Sequence, residues 1–183
     1  MSRLWIVASA IWLAACGNRS NAAQLEEPPR TDGVKLPDEG WRAVLTPDEF
    51  HVLREAGTER AFTGDLWDHH AEGVYVCAGC GLPLFDSAAK FDSGTGWPSF
   101  FQPVASQRVG AKSDFAYGMK RTESVCARCG GHLGHVFDDG PQPTGLRYCM
   151  NSVSLDFVPR NELAAWADTP LRLGGVDTME VKK

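Results

Sequence analysis

The sequence predicts a mainly β fold with a few small helices, and three observations carry that expectation. Beyond residue 57 the chain breaks into short apolar stretches separated by Gly, Pro and Asp turns. Strand-like and helix-like segments do not alternate as a parallel sheet requires, and no segment repeats, so the strands are expected to pair antiparallel. The 183 residues, 43% of them hydrophobic, suffice for one domain with a real core plus a tail. A net charge of −5 and the absence of any lysine or arginine run argue against a nucleic-acid partner, whose phosphates call for a basic patch.

The elements follow in order. Arg3 and the apolar run over residues 4–15 fit the n- and h-regions of a secretory signal, being too short for the roughly 20 residues of a membrane span. The run ends Leu13-Ala14-Ala15-Cys16-Gly17. It resembles the lipobox of bacterial lipoproteins, which implies a lipidated Cys16 in the bacterial cell envelope. Gly17, not Asp, follows it, which favours the periplasmic face of the outer membrane. Residues 1–15 are then a lipoprotein signal peptide. Residues 16–37, polar and carrying Pro28, Pro29 and Pro37, form a flexible tether, and residues 38–183 form the domain. In the domain one helix is clearly signalled. Thr46 is an N-cap, Pro47 takes the first helical position, Glu49 completes a capping box and Gly57 ends the helix. Phe50 and Leu53 share its buried face. Val74-Tyr75-Val76 is a strand, residues 147–157 are the best strand with a bend near the middle, and residues 161–167 form a short helix.

Four cysteines come as Cys77-Ala78-Gly79-Cys80 and Cys126-Ala127-Arg128-Cys129. Two pairs at this spacing suit a closed, tetrahedral and therefore structural zinc site. A redox dithiol is another use, but it calls for a βαβ setting that the sequence lacks. Disulfides are a third, favoured by an oxidising compartment.

Cys149 stands apart in Arg147-Tyr148-Cys149-Met150-Asn151. On a strand, alternation puts Arg147, Cys149 and Asn151 on one face and Tyr148 and Met150 on the other. A cation beside a thiol lowers its pKa and makes a nucleophile; a free cysteine that merely packs is equally compatible with this pattern. His132 and His135 stand three apart just upstream, with Asp139 near enough in sequence to orient one of them. The pair also suits a metal or a solvated turn. Trp97 lies among the glycines of Gly94-Thr95-Gly96-Trp97-Pro98. It is either an aromatic wall for a small apolar ligand or a core residue at a turn.

Taken together, residues 57–64, the two cysteine pairs, residues 90–100, Arg121-Thr122-Glu123, residues 132–141 and residues 144–152 resemble the methionine-R-sulfoxide reductases. The resemblance covers residues 37–159, and nothing after Arg160 is matched. It implies two antiparallel sheets with small peripheral helices, and one structural zinc ion on Cys77, Cys80, Cys126 and Cys129, remote from the chemistry. Cys149 matches the catalytic cysteine, which is left as a sulfenic acid once the sulfoxide is reduced. Trp97 matches the residue that packs the substrate's S-methyl group. His132, His135 and Asn151 match residues that orient the substrate and stabilise the sulfoxide oxygen, with His135 as the candidate acid. Arg147 and Asp139 match the supporting charge network. Oxidised proteins or peptides are the implied substrate, and a thioredoxin-like protein or another external thiol the implied reductant. One departure stands out: many members carry a resolving cysteine where this chain has Thr95, so a one-cysteine enzyme is expected. The anchor has its own test. Bacterial cells expressing the full chain should incorporate radioactive palmitate into it and lose that label in Cys16→Ala; equal labelling of the two, or none, would rule out lipid at Cys16.

Overall fold

The computed structural model describes residues 32–115, 118 and 120–163; the predicted signal peptide, Cys16 and nearly all of the predicted tether lie outside them. Two helices, α1 (Asp38–Val44) and α2 (Pro47–Glu55), precede nine strands: β1 (Gly73–Cys77), β2 (Pro83–Asp86), β3 (Lys90–Phe91), β4 (Ser99–Phe100), β5 (Val109–Asp114), β6 (Arg121–Cys126), β7 (His132–Phe137), β8 (Arg147–Met150) and β9 (Leu155–Pro159). The strands form a three-stranded sheet, β2-β1-β9, and a six-stranded sheet, β3-β4-β8-β7-β6-β5. Every pairing is antiparallel. The expected fold class is therefore the observed one. No helix among the described residues is long and apolar enough to cross a membrane.

Helix α2 starts as its sequence dictates. The Thr46 hydroxyl accepts from the Glu49 N–H, and the Glu49 carboxylate accepts from the Thr46 N–H at 2.7 Å. Phe50, Val52 and Leu53 are buried. The helix ends one residue before its predicted stop: Ala56, at φ 55°, takes the left-handed conformation. Gly57 serves packing instead, since a Cβ there would run into the His51 ring. Helix α1 was not signalled by any cap. It forms behind Pro37 with Asp38 and Glu39 in its first turn, suited to the positive helix end. It buries Trp41, over which the Arg54 guanidinium lies at 4.7 Å. Just before it, Val34 is buried and donates its N–H to the Arg128 carbonyl.

The predicted strand over 147–157 is two strands. Chain pairing breaks at a 3-10 turn, Ser152–Ser154, so β8 belongs to the large sheet and β9 to the small one. The predicted helix over 161–167 begins as a 3-10 turn, Arg160–Glu162, and from residue 164 lies outside the described residues. Strand β1 is buried at all five positions because the core covers one face and Val158 joins Val74 and Val76 on the other. Aromatic rings tie the two sheets together. Phe85 of β2 stacks on Phe100 of β4 at 4.4 Å, and Tyr75 of β1 meets the same ring edge-on at 4.9 Å. Met150 and Leu133 complete this core, both fully buried.

One glycine sets how closely β7 and β8 approach. A Cβ at Gly134 would fall onto the Cys149 carbonyl, so backbone, not a flexible side chain, would have to move. Gly134→Ala is expected to destabilise the fold by about 3 kcal/mol, and thermal unfolding followed by circular dichroism should show the midpoint falling accordingly. An unchanged midpoint would mean that the two strands have slack to part.

Candidate active site and metal centre

The two cysteine pairs fold as matching knuckles. In the first, the Cys77 N–H donates to the Leu82 carbonyl and the Gly81 N–H to the Cys77 carbonyl; in the second, Cys126 and Gly131, then Gly130 and Cys126, repeat the pattern. Gly81 and Gly130 both sit at φ 69°, a turn only glycine takes without strain. Cys77 closes β1 and Cys126 closes β6, so the knuckles bring the ends of the two sheets together. All four sulfurs lie within 4.8 Å of one another, with Cys77 to Cys129 at 3.7 Å and Cys80 to Cys126 at 3.5 Å. The thiols are buried and unbridged, and the four of them could hold one metal ion with no ligand position left over.

The second site is built on the large sheet. In register, Cys149 faces Ser99 of β4 on one side and His135 of β7 on the other. Alternation along β8 is as predicted: Tyr148 and Met150 pack into the core. Cys149 and Asn151 line a small cleft of about 120 Å³ together with Trp97, His135, Thr58, Arg121 and Phe137. No cysteine of the metal site reaches it.

The two histidines converge through a bulge. Residues three apart on a regular strand face opposite ways. Ser124 pairs with Gly134, but Val125 pairs with His132, so Leu133 is an extra residue in β7. That shift of phase turns His132 back to the side of His135, and the two rings lie 5.4 Å apart. Each has its own carboxylate. His135 Nε2 is 2.8 Å from Asp114 Oδ2, which also receives the Arg121 guanidinium at 2.7 Å. His132 Nδ1 is 2.8 Å from Glu123 Oε1. His132 Nε2 is buried and has no hydrogen-bond partner among the described residues. Burial lowers the His132 pKa against the pull of Glu123. Burial thus favours the neutral ring, in which an Nδ1–H donating to Glu123 leaves the lone pair at Nε2.

Asp139 orients neither histidine, as the sequence had suggested it could. Its carboxylate takes a bidentate pair from Arg147, both contacts at 2.8 Å, while the guanidinium lies 4.4 Å over the Phe137 ring. Arg147 is 11% exposed and Asp139 59%. The other correction concerns the thiol. The Cys149 pKa is raised, not lowered: burial is the largest influence, opposed by the Thr95 hydroxyl, the Arg147 charge and Ser99.

Sequence reasoning missed the residue that ties the cleft together. Glu59 accepts from the Ser152 N–H at 2.6 Å and the Val153 N–H at 3.0 Å. Its own N–H donates to Asn151 Oδ1, and its carbonyl accepts the Trp97 indole N–H at 3.2 Å. Asn151 Nδ2 also donates to the Leu133 carbonyl at 3.0 Å, leaving one amide N–H. Glu59 lies in the segment 57–64, yet nothing in its local sequence marks it. Asp114 was equally silent, because only the register of β5, β6 and β7 brings it to His135.

A family model described as the SelR domain matches residues 45–159, which span the site from α2 to β9. The chain is 62% identical over 131 residues to a peptide methionine sulfoxide reductase MsrB of Thiobacillus denitrificans, covering 72% of this chain and 98% of that one. It is 57% identical over 129 residues to the protein of the same name from Methanosarcina barkeri, covering 70% and 91%. With that from Leptospira interrogans it shares 56% over 124 residues, covering 68% and 95%. By the domain match and by these identities, the chain belongs to the SelR domain family of MsrB-type peptide methionine sulfoxide reductases.

Proposed function

We propose that this chain reduces methionine R-sulfoxide, in oxidised proteins or peptides, to methionine at the expense of thiols. The observation that carries the reading is the half-buried Cys149 thiol in a cleft lined by Trp97, His135 and Asn151. The names of the relatives point the same way.

The residues divide the work by position. The Trp97 indole, fixed through its N–H on the Glu59 carbonyl, offers an apolar wall for the S-methyl group. The free N–H of Asn151 and the histidine pair face the sulfoxide oxygen. His135, whose Nε2 is held by Asp114, supplies the proton from its other side as the general acid. Cys149 attacks the sulfoxide sulfur. Sulfur is reduced by two electrons, oxygen and a proton end on Cys149 as a sulfenic acid, and methionine departs. Two external thiols, on a thioredoxin-like partner or a small reductant, then return Cys149 to the thiol with release of water and a disulfide. Thr95 Oγ1 lies 3.9 Å from the sulfur, and Cys149 is the one cysteine among the described residues outside the metal cluster. A one-cysteine cycle follows.

The metal is zinc. Bonds of about 2.3 Å in a tetrahedron set sulfurs roughly 3.8 Å apart, close to the distances between the four thiols, and far beyond the roughly 2.05 Å of a disulfide. When bound, the ion crosslinks the two sheets and takes no part in the reaction. The lipobox-like Leu13-Ala14-Ala15-Cys16 supports the further proposal of a lipid-anchored protein in the cell envelope.

Two measurements test this reading. With dithiothreitol as reductant, the R epimer of a blocked methionine sulfoxide should be consumed and the S epimer spared. Cys149→Ser should lose at least about 10³-fold in rate, and substrate-treated enzyme should carry a sulfenic acid on Cys149 and no disulfide. Consumption of neither epimer by folded protein would sink the assignment. Separately, purified protein should contain one zinc per chain. Cys80→Ser should lose it and, with on the order of 10 kcal/mol of binding energy withdrawn, should fail to fold stably. A stable, zinc-free Cys80→Ser protein would show that the staple is dispensable.

A further inference from the structure

Three hydroxyls beside Cys149 remain unexplained by this reading. Thr95 Oγ1 is 3.9 Å from the Cys149 sulfur and 2.8 Å from Ser93 Oγ. Ser93 Oγ is 2.7 Å from Ser99 Oγ, and Ser99 donates to the Trp97 carbonyl at 3.3 Å. Ser99 is fully buried and stands directly opposite Cys149 in the sheet register. The result is an unbroken line: Cys149, Thr95, Ser93, Ser99, Trp97 carbonyl.

A hydroxyl carries one proton to donate, so the direction of each bond fixes the next. With Ser99 donating to Trp97, it must accept from Ser93. Ser93 then accepts from Thr95, and Thr95 accepts from the Cys149 S–H. All bonds run away from the sulfur, and every donor is used. A thiolate has no proton to give. Thr95 must then turn and donate to the sulfur, Ser93 must donate to Thr95, and Ser99 to Ser93, so that only the bond to the Trp97 carbonyl is given up. The same oxygens at the same distances satisfy both states, and hydroxyl rotation alone converts one into the other. No hydroxyl gains or loses a proton; the thiol proton leaves to water through the cleft.

We propose that Thr95, Ser93 and Ser99 form a reversible hydroxyl chain that stabilises negative charge on the Cys149 sulfur, with Ser93 as a positioning residue acting through the other two. The proposal rests on Cys149 being the reactive thiol. Hydrogen bonds polarise one another along such a line, so the far members contribute at the near end. The other polar or charged groups around the sulfur are accounted for. Arg147 on the same strand pairs with Asp139 and also acts on the sulfur, through its charge and a hydrogen bond. His135 on β7 is tied to Asp114, with Arg121 behind it, and His132 to Glu123. Against the burial that disfavours the thiolate, Thr95, Arg147 and Ser99 all act in its favour.

The test reads the thiolate directly. Full-length, zinc-loaded protein is alkylated with iodoacetamide over a range of pH, and modification of the Cys149 peptide alone is followed by mass spectrometry. In Thr95→Val and in Ser93→Ala, which does not touch the sulfur, the midpoint of the rate profile should rise by about one on the pH scale, making alkylation roughly tenfold slower at neutral pH. Thr95→Ser should restore the wild-type profile. Unchanged zinc content and circular dichroism certify folding. If the profiles of Ser93→Ala and wild type coincide, the chain is overturned, whether or not Thr95→Val moves. Because alkylation needs no sulfoxide, an enzyme that fails to reduce either epimer would defeat the proposed function and leave this result standing.

Discussion

Strand β8 is hydrogen-bonded on both sides, to β4 and to β7, and the rest of the site depends on that. A thiol on a loop would sample many positions. A thiol on an inner strand has its Cα fixed by two ladders, and alternation fixes which face it takes. The same ladders place Ser99 and His135 across from it. Gly134 removes the one side chain that would hold β7 away from β8 at this point. The core beneath, where Tyr148 and Met150 pack, keeps the strand from rotating. The reactive face is thus held by the burial of the opposite one.

A regular sheet alone would not assemble the site, because neighbouring functional groups must come from positions that a strict period of two would separate. Two departures solve this. The extra residue Leu133 brings His132 and His135 onto one side. The 3-10 turn over Ser152–Ser154 carries the chain from the large sheet to the small one immediately after Asn151. That turn leaves backbone N–H groups at Ser152 and Val153 without ladder partners, and the Glu59 carboxylate takes both. The residue that stabilises the turn also holds Asn151 and Trp97 through its backbone. A break in the sheet has thereby become the joint between the nucleophile's strand and the aromatic wall.

These two departures also explain what could and could not be read from the sequence. Local signals were legible: the Thr46–Glu49 capping box, the buried strand at Val74–Val76, the paired cysteines, and the alternation that puts Cys149 opposite Tyr148 and Met150. Each depends on residues a few positions apart. Helix α1 escaped notice because it has no side-chain cap and gains its stability from Trp41 in a core assembled elsewhere. The acids were misjudged for a related reason. Asp139 follows His135 by only four residues, but the histidines take their acids from β5 and β6 through the sheet register. Proximity along the chain identified the wrong partner, and nothing short of the strand order would have identified Asp114.

Electrostatics complete the picture, and they run against the simplest expectation. A cation two residues from a thiol suggests a resting thiolate, yet burial outweighs Arg147 and keeps Cys149 protonated. Burial also keeps His132 neutral. Both effects have one origin: burial disfavours charge of either sign. Burial therefore favours a proton on the sulfur and a neutral His132, whose Nε2 has no partner among the described residues. The proposed reaction needs the reverse, an electron-rich sulfur and a proton beside the sulfoxide oxygen. Since that oxygen is itself an acceptor, it gains nothing from the bare Nε2 unless a proton lies between them. In the proposed reaction His135, held by Asp114 at 2.8 Å, is the group placed to supply that proton, and the thiolate is stabilised by groups already in place.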